Sequence, residues 1–299
     1  MRQNLKSIWR KNRGSNILER LALLFLLIDV ALCEIPLVFD DGGRNIDEFE
    51  SRVVATIEGF EERMPFEFDS TDTIRIAVAF SRSEFERLTH GTIPDWGIGA
   101  ANPSRGEIVL FLREGSRSFE AAELVVHELG HIFLHRAVGD VHIPRWFDEG
   151  FAQWVTGPMD FHQSSRLSMA MMFGNTIPLS RLDDVNGWSA DRAELAYAES
   201  RAAFDFLMSI SQDKSPMRMI ESIAEEGDFE VGFSSAYGMT IHQFYRIWAS
   251  ESARKFNWTL LLADWRITFS TITLLFVLFG SIKLIRMRIA RKKAEDEED

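Results

Sequence analysis

ITFSTITLLFVLFGSI, at residues 267–282, runs without a single charge, which is too apolar a stretch to leave facing water. Lys283 can lift its amine past an apolar stem, so the span extends to Ile285 and reaches the length that crosses a bilayer. Arg286, Arg288, Arg291, Lys292 and Lys293 follow at once, ahead of an acidic tip from residue 295 to 299. A buried core helix seldom abuts such a basic run, whereas the cytoplasmic flank of a membrane helix usually carries one. Residues 265–285 therefore read as a transmembrane helix and residues 286–299 as a short cytoplasmic tail.

The opposite end has a related pattern. Arg2, Lys6, Arg10, Lys11, Arg13 and Arg20 precede the apolar LALLFLLIDVALC of residues 21–33, a basic segment followed by a hydrophobic one. Ala31 and Cys33 suit a cleavage point and Asp29 departs from the ideal, so residues 1–33 read as a signal peptide or an N-terminal membrane anchor. Either way the chain starts inside, and residues 34–264 lie outside the cytoplasm.

That outer body is acidic. The formal charge of the whole chain is -12, but residues 34–264 hold 20 Lys and Arg against 38 Asp and Glu, near -18. So acidic a body argues against nucleic acid as a partner, because phosphate recognition needs clustered Lys and Arg. The single cysteine, Cys33, allows neither an intramolecular disulfide nor a cysteine-built metal site, so a metal must be held by His and carboxylate.

Within the body, strand patterns give way to helical ones. A helical stretch near residues 48–64 precedes the alternating TIRIAVAF (73–80), a short helix SRSEFERL and a second strand EIVLFL (107–112). Later segments repeat with helical period: 119–138, 145–155, 190–210, 216–226 and 241–253. Strands first and helices afterwards predict an α+β domain with a small N-terminal sheet and a helical C-terminal half, flanked by terminal membrane segments.

Residues 127–131, inside helix 119–138, read HELGH. Two imidazoles four residues apart share one helix face and reach one zinc ion together, and the glutamate after the first can reach a water on that ion. His127 and His131 are thus candidate ligands and Glu128 the candidate base. His135 continues the series, but eight helical residues carry it about 12 Å from His127, too far to share the ion. The metzincin extension needs Gly at 134 and His at 137; Leu134 and Ala137 exclude it. In IPRWFDEGFAQW (143–154), Pro144 suits a helix start and Glu149, on that helix beside Gly150, is the natural third ligand.

In this order the segments resemble the gluzincin metallopeptidases of the thermolysin and aminopeptidase superfamily, and within it the peptidase MA-like domain family. The resemblance covers most of residues 74–250: an early strand with SRSEFERL, then IPDWGIGAANPSRGEIVLFL, VVHELGH, IPRWFDEGFAQW, IPLSRL and LAYAESRAAFDFL. It implies a gluzincin-like domain over 34–264, zinc held by His127, His131 and Glu149, Glu128 as base, and Tyr197 lining the site. Two departures matter. Where aminopeptidases carry G-x-M-E-N, with a glutamate for the substrate's free amine, this chain has Gly97, Ile98, Gly99, Ala100, Ala101 and Asn102. No carboxylate stands there, so exopeptidase action gains no support, though the glycines still permit an edge that pairs with a substrate backbone. Thermolysin-like members orient a histidine with a carboxylate four residues after the third ligand; here that residue is Gln153, leaving Gln153, Asp148 or a backbone carbonyl for the task.

The expected chemistry is peptide hydrolysis by a zinc-activated water, with Glu128 taking its proton and returning it to the leaving amine. Tyr197, ahead of Tyr237 and Tyr245, is the expected oxyanion donor. His142 and His162 flank the site in sequence and read as exposed loop residues first, donors second. Trp96, Trp146, Trp154 and Trp188 could line a cleft, although aromatic residues at helical spacing are more often core. The chain thus reads as a membrane-anchored zinc metallopeptidase whose partners are a peptide or protein substrate and the lipid bilayer. The alternative is a catalytically silent relative that binds peptides or envelope proteins.

Overall fold

A computed structural model of the chain describes residues 37–40, 46–61, 73–91, 93–95, 97–112, 118–211, 215–255 and 265–295. The expected leader at 1–33 lies outside these residues, as does Trp96. In β2 (Ile74–Ala79), alternation puts Ile74, Ile76 and Val78 on one buried face, as a strand with a core on that side requires. It lies parallel to β1 (Leu37–Asp40) on one side and to β4 (Glu107–Phe111) on the other. The outermost strand, β3 (Gly99–Asn102), runs antiparallel to β4 with Ala101 opposite Ile108, giving the order β1-β2-β4-β3. Parallel pairs need crossovers, and α1 (Asp47–Glu61) and α2 (Arg82–Leu88) lie in the connections. Ser81 caps α2 by accepting the Glu84 N–H.

The rest of the body is helical: α3 (Ser118–Val138), α4 (Arg145–Thr156), α5 (Phe161–Phe173), a 3-10 segment (Leu179–Gly187), α6 (Ala190–Ile210), α7 (Met217–Glu226), α8 (Phe229–Tyr237) and α9 (Ile241–Lys255). The chain is therefore mostly helical, with a small four-stranded sheet near its start. The strand and helix patterns read from the sequence sit on observed elements, while β1, β3, α5 and α8 were not separately expected. Helix α3 is the centre of the layout. It packs against α1 and the sheet on one side and against α4 and α7 on the other.

Helix α4 is fixed by its aromatic face. Trp146 stacks on Phe244 at 5.3 Å, and the Phe147 ring meets Phe204 and Phe229 edge-on at 5.2 and 5.3 Å. Burying each such ring contributes about 1.5–3 kcal/mol. On its other side α4 crosses α3 closely, because a Cβ on Gly130 would lie 2.9 Å from the Ala152 Cα. The glycine of HELGH thus leaves room for the helix that carries Glu149.

Beyond the body, α10 (Trp265–Glu295) contains the apolar stretch Phe269–Arg288, 20 residues with mean hydropathy 1.6 and none of it buried. At 1.5 Å per residue this rises about 30 Å, the thickness of a bilayer core. It is long and apolar enough to cross a membrane.

One buried acid ties the region before the 3-10 segment to the core. Both oxygens of Glu199 on α6 accept the Ile177 N–H, at 2.8 and 3.0 Å. Burial pushes the Glu199 pKa up to about 8, only partly countered by that hydrogen bond. Because the folded value exceeds the ordinary 4.5, the associated stability is complete below 4.5 and is lost as pH rises through about 8. Glu199→Gln is expected to flatten the fall in melting temperature across that window, an effect on the order of a few kcal/mol. Thermal unfolding at stepped pH measures it, and an unaltered slope would assign the loss to another group.

Candidate active site

One helical turn separates His127 from His131, so both rings leave α3 on the same side, and their Nε2 atoms stand 3.3 Å apart. The tight crossing with α4 brings Glu149 beneath them, its Oε2 lying 3.5 Å from Nε2 of His127 and 3.7 Å from Nε2 of His131. The three ligand atoms fall within 4.8 Å of one another, and the described residues hold no second group of this kind. A tetrahedral zinc ion with bonds of about 2.1 Å separates its ligand atoms by about 3.4 Å. The observed separations of 3.3, 3.5 and 3.7 Å bracket that value, and two imidazole nitrogens with one carboxylate oxygen are donors that zinc takes. The residues fit the ion.

Behind the ligands sits Asp148. His131 Nδ1–H donates to its Oδ1 at 2.6 Å, which turns the Nε2 lone pair toward the cluster, and His135 Nε2 donates to Oδ2 at 3.2 Å. Asp148 is therefore the orienting group among the three options left by sequence. Gln153 does something else: its amide donates to the backbone carbonyls of Glu149 and Tyr197, at 3.3 and 3.0 Å, and braces α4 against α6. His135 lines the cleft but reaches the ligands only through Asp148.

The electrostatics favour positive charge in this pocket. Burial would lower the His131 pKa, yet Asp148, Glu149 and Glu128 raise it to about 10. Burial would likewise raise Asp148, but the charges and hydrogen bonds of His131 and His135 hold it well below the carboxylate range. The two glutamates diverge. Burial raises Glu128, outweighing the neighbouring histidines, whereas in Glu149 the histidines and Arg145 outweigh burial and keep the pKa low. Adjacent carboxylates with opposite shifts are suited to different tasks, one exchanging protons and one staying anionic.

Tyr197 reaches the cleft from α6, and burial, with Glu149 adding to it, raises its pKa above the ordinary phenol value, so it stays a proton donor. Two adjoining cavities, of about 500 and 1040 Å³, share Ile98, Leu124, His127 and Tyr197 in their walls. The smaller is roofed by β3, and the larger continues between Glu123, Gln153 and Asp160. Strand β3 passes directly over Glu128: a Cβ on Gly99 would lie 2.4 Å from its Oε1.

The remaining candidates lie elsewhere. His142 and His162 are exposed and line neither cavity. Trp146 is fully buried in the core, and Trp154 and Trp188 pack against it. Tyr245 is occupied with Trp146, whose Nε1–H donates to its hydroxyl at 3.0 Å, and Tyr237 packs on Phe233. Arg145 was not anticipated, although it donates to Glu149 Oε1 at 3.0 Å and lines the smaller cavity. Its only signal was a basic residue one turn before the candidate ligand Glu149.

Residues 92–252 match the sequence model of the Peptidase MA superfamily. The chain belongs to that superfamily. The matched stretch contains every residue of the smaller cavity and ends before α10, so membrership concerns the cleft-bearing body. A Bacillus subtilis (strain 168) protein, named "Uncharacterized protein YhcO", is 28% identical over 129 residues, or 40% of this chain. The chain matches 38% of the length of that curated relative.

Asp148→Asn keeps the size of the side chain but weakens the support of His131. It is expected to lower zinc affinity about 10- to 100-fold, measured by competition with a chromophoric chelator. An unchanged affinity would show that His131 takes its orientation from another group.

Proposed function

We propose that this protein is a membrane-anchored zinc metallopeptidase that cleaves peptide bonds within protein substrates outside the cytoplasm. The observation that carries the reading is the meeting of His127, His131 and Glu149 beside the Glu128 carboxylate in one open cleft. Membership of the Peptidase MA superfamily supports it independently. When bound by these residues, zinc supplies Lewis acidity and brings the pKa of a water toward about 7.

The side chains divide the remaining work. Glu128, held high in pKa by burial, accepts a proton from the attacking water and returns it to the departing amine. Glu149 stays anionic throughout. Tyr197 donates its hydroxyl proton as a hydrogen bond to the carbonyl oxygen as that atom gains charge. Strand β3 is the sheet edge that borders Glu128, and its backbone pairs with a substrate lying extended across the cleft.

Two features favour internal cleavage. Cavities lie to both sides of the wall shared by His127 and Tyr197, so a chain has room before and after the reacting bond. Residues 97–102 carry no carboxylate to hold a free amine. In this reading α10 is the anchor, and the basic residues from 286 to 293 keep the tail inside while the cleft faces outward.

The full chain in detergent is expected to carry close to one zinc per molecule and to digest an unstructured protein. Glu128→Gln should keep the metal and lose about 10²- to 10⁴-fold in rate. Zinc uptake with no turnover on a broad peptide library would instead make the cleft a peptide-binding module. Gly99→Ala is expected to retain zinc while slowing cleavage about 100-fold, since the added methyl displaces the base by a fraction of its reach. Wild-type rates in that variant would detach β3 from the positioning of Glu128.

A further inference from the structure

A helix N-terminus is the positive pole of its dipole, and a cation there is the less favourable choice. Arg145 nevertheless opens α4, and its pairing with Glu149, basic residue first, is the weaker orientation for partners four residues apart. Its Nε is buried and has no hydrogen-bond partner among the described residues, a further cost. Helix stability does not account for the residue, but the contacts of its guanidinium do. Its Nη2 pairs with Glu149 Oε1 at 3.0 Å, and the guanidinium lines the same cavity as the Tyr197 side chain, near enough for the two to interact.

Each contact has a consequence for the cleft. With Oε1 engaged, Glu149 presents Oε2 alone to Nε2 of His127 and His131. A carboxylate that swung to bind through both oxygens would crowd the position that a three-ligand zinc site leaves open. A guanidinium has only donors, so in any hydrogen bond between the two Tyr197 is the acceptor and keeps its own O–H to give elsewhere. The base of the arrangement is fixed too, because the Arg145 backbone N–H donates to Asp183 Oδ1 at 2.9 Å.

We propose that Arg145 is a positioning residue: its planar guanidinium holds Glu149 to coordination through one oxygen and aims the Tyr197 hydroxyl into the cleft, so that one side chain sets both. The inference rests on the zinc peptidase reading above. Lysine, a point charge on a flexible stem, does not bridge the two partners in the same way.

The test compares the full-length wild type with Arg145→Met, Arg145→Lys, Tyr197→Phe and the Arg145→Met/Tyr197→Phe double variant, all checked for folding by circular dichroism. Arg145→Met is expected to lower zinc affinity about 10- to 100-fold in chelator competition, with Arg145→Lys in between. Cleavage should show a fall in kcat with little change in KM, and Tyr197→Phe should cost several-fold less in the Arg145→Met background than in the wild type. Zinc affinity within twofold of wild type, with the two substitutions multiplying independently, would overturn the proposal. If Arg145→Met does not fold, the Arg145→Lys affinity decides in the same two directions. A wild type that binds zinc without cleaving removes the peptidase reading, yet the affinity comparison still judges Arg145. A wild type that takes up no zinc removes both.

Discussion

Where α3 crosses α4, the carboxylates of Glu128, Asp148 and Glu149 are all withdrawn from bulk water along one wall of a cleft. A buried carboxylate costs several kcal/mol unless a cation and hydrogen bonds answer it, and removing one partner typically costs about 3–5 kcal/mol. Asp148 is answered by His131 and His135, and Glu149 by the two cleft histidines and Arg145. Glu128 instead carries its cost as a raised pKa. Pairing offsets part of that cost, so the histidines serve the fold as well as the cleft. A divalent cation at the same point would satisfy the same demand.

The crossing holds because α4 has two distinct faces. Trp146, Phe147, Gly150 and Phe151 turn toward the core, where rings from α6, α8 and α9 close on them. Arg145, Asp148 and Glu149, spaced three and four apart, turn toward α3 and the cleft. The aromatic face supplies the stability that the charged face spends, and it fixes the rotation of the helix about its axis. That rotation decides which of Asp148 and Gln153 meets His131. Asp148 precedes Glu149 by one residue and so projects beside it, while Gln153 lies one turn further on and reaches backbone carbonyls instead.

This explains which parts were legible beforehand. HELGH could be read because its chemistry depends on spacing within a single helix, and Glu149 because a proline, a helix start and a glycine surround it. Arg145 could not, since an arginine at a helix start is ordinarily a solvated surface residue, and only the packing of α6 places Tyr197 next to it. Asp148 remained one option of three until the helix rotation was known. The sheet was half visible: β2 and β4 alternate clearly, but the GAAN of β3 has little strand preference and owes its form to pairing with β4. Helix α5 lacked a clean apolar period, with serines and methionines mixed, and is defined at its ends by the Asp160 capping box and the left-handed Gly174.

The proposed anchor also limits what the cleft can reach. Nine residues separate Lys255, the end of α9, from Trp265, the start of α10, and even a fully extended chain of that length spans only about 30 Å. If α10 anchors the chain as proposed, membrane-bound neighbours would be met more often than freely diffusing ones, because tethering raises the effective concentration of neighbours. The charge near -18 over residues 34–264 would act in the same proposed setting, disfavouring close contact with anionic headgroups. On the proposed function, that limit would favour substrates within reach of the membrane surface.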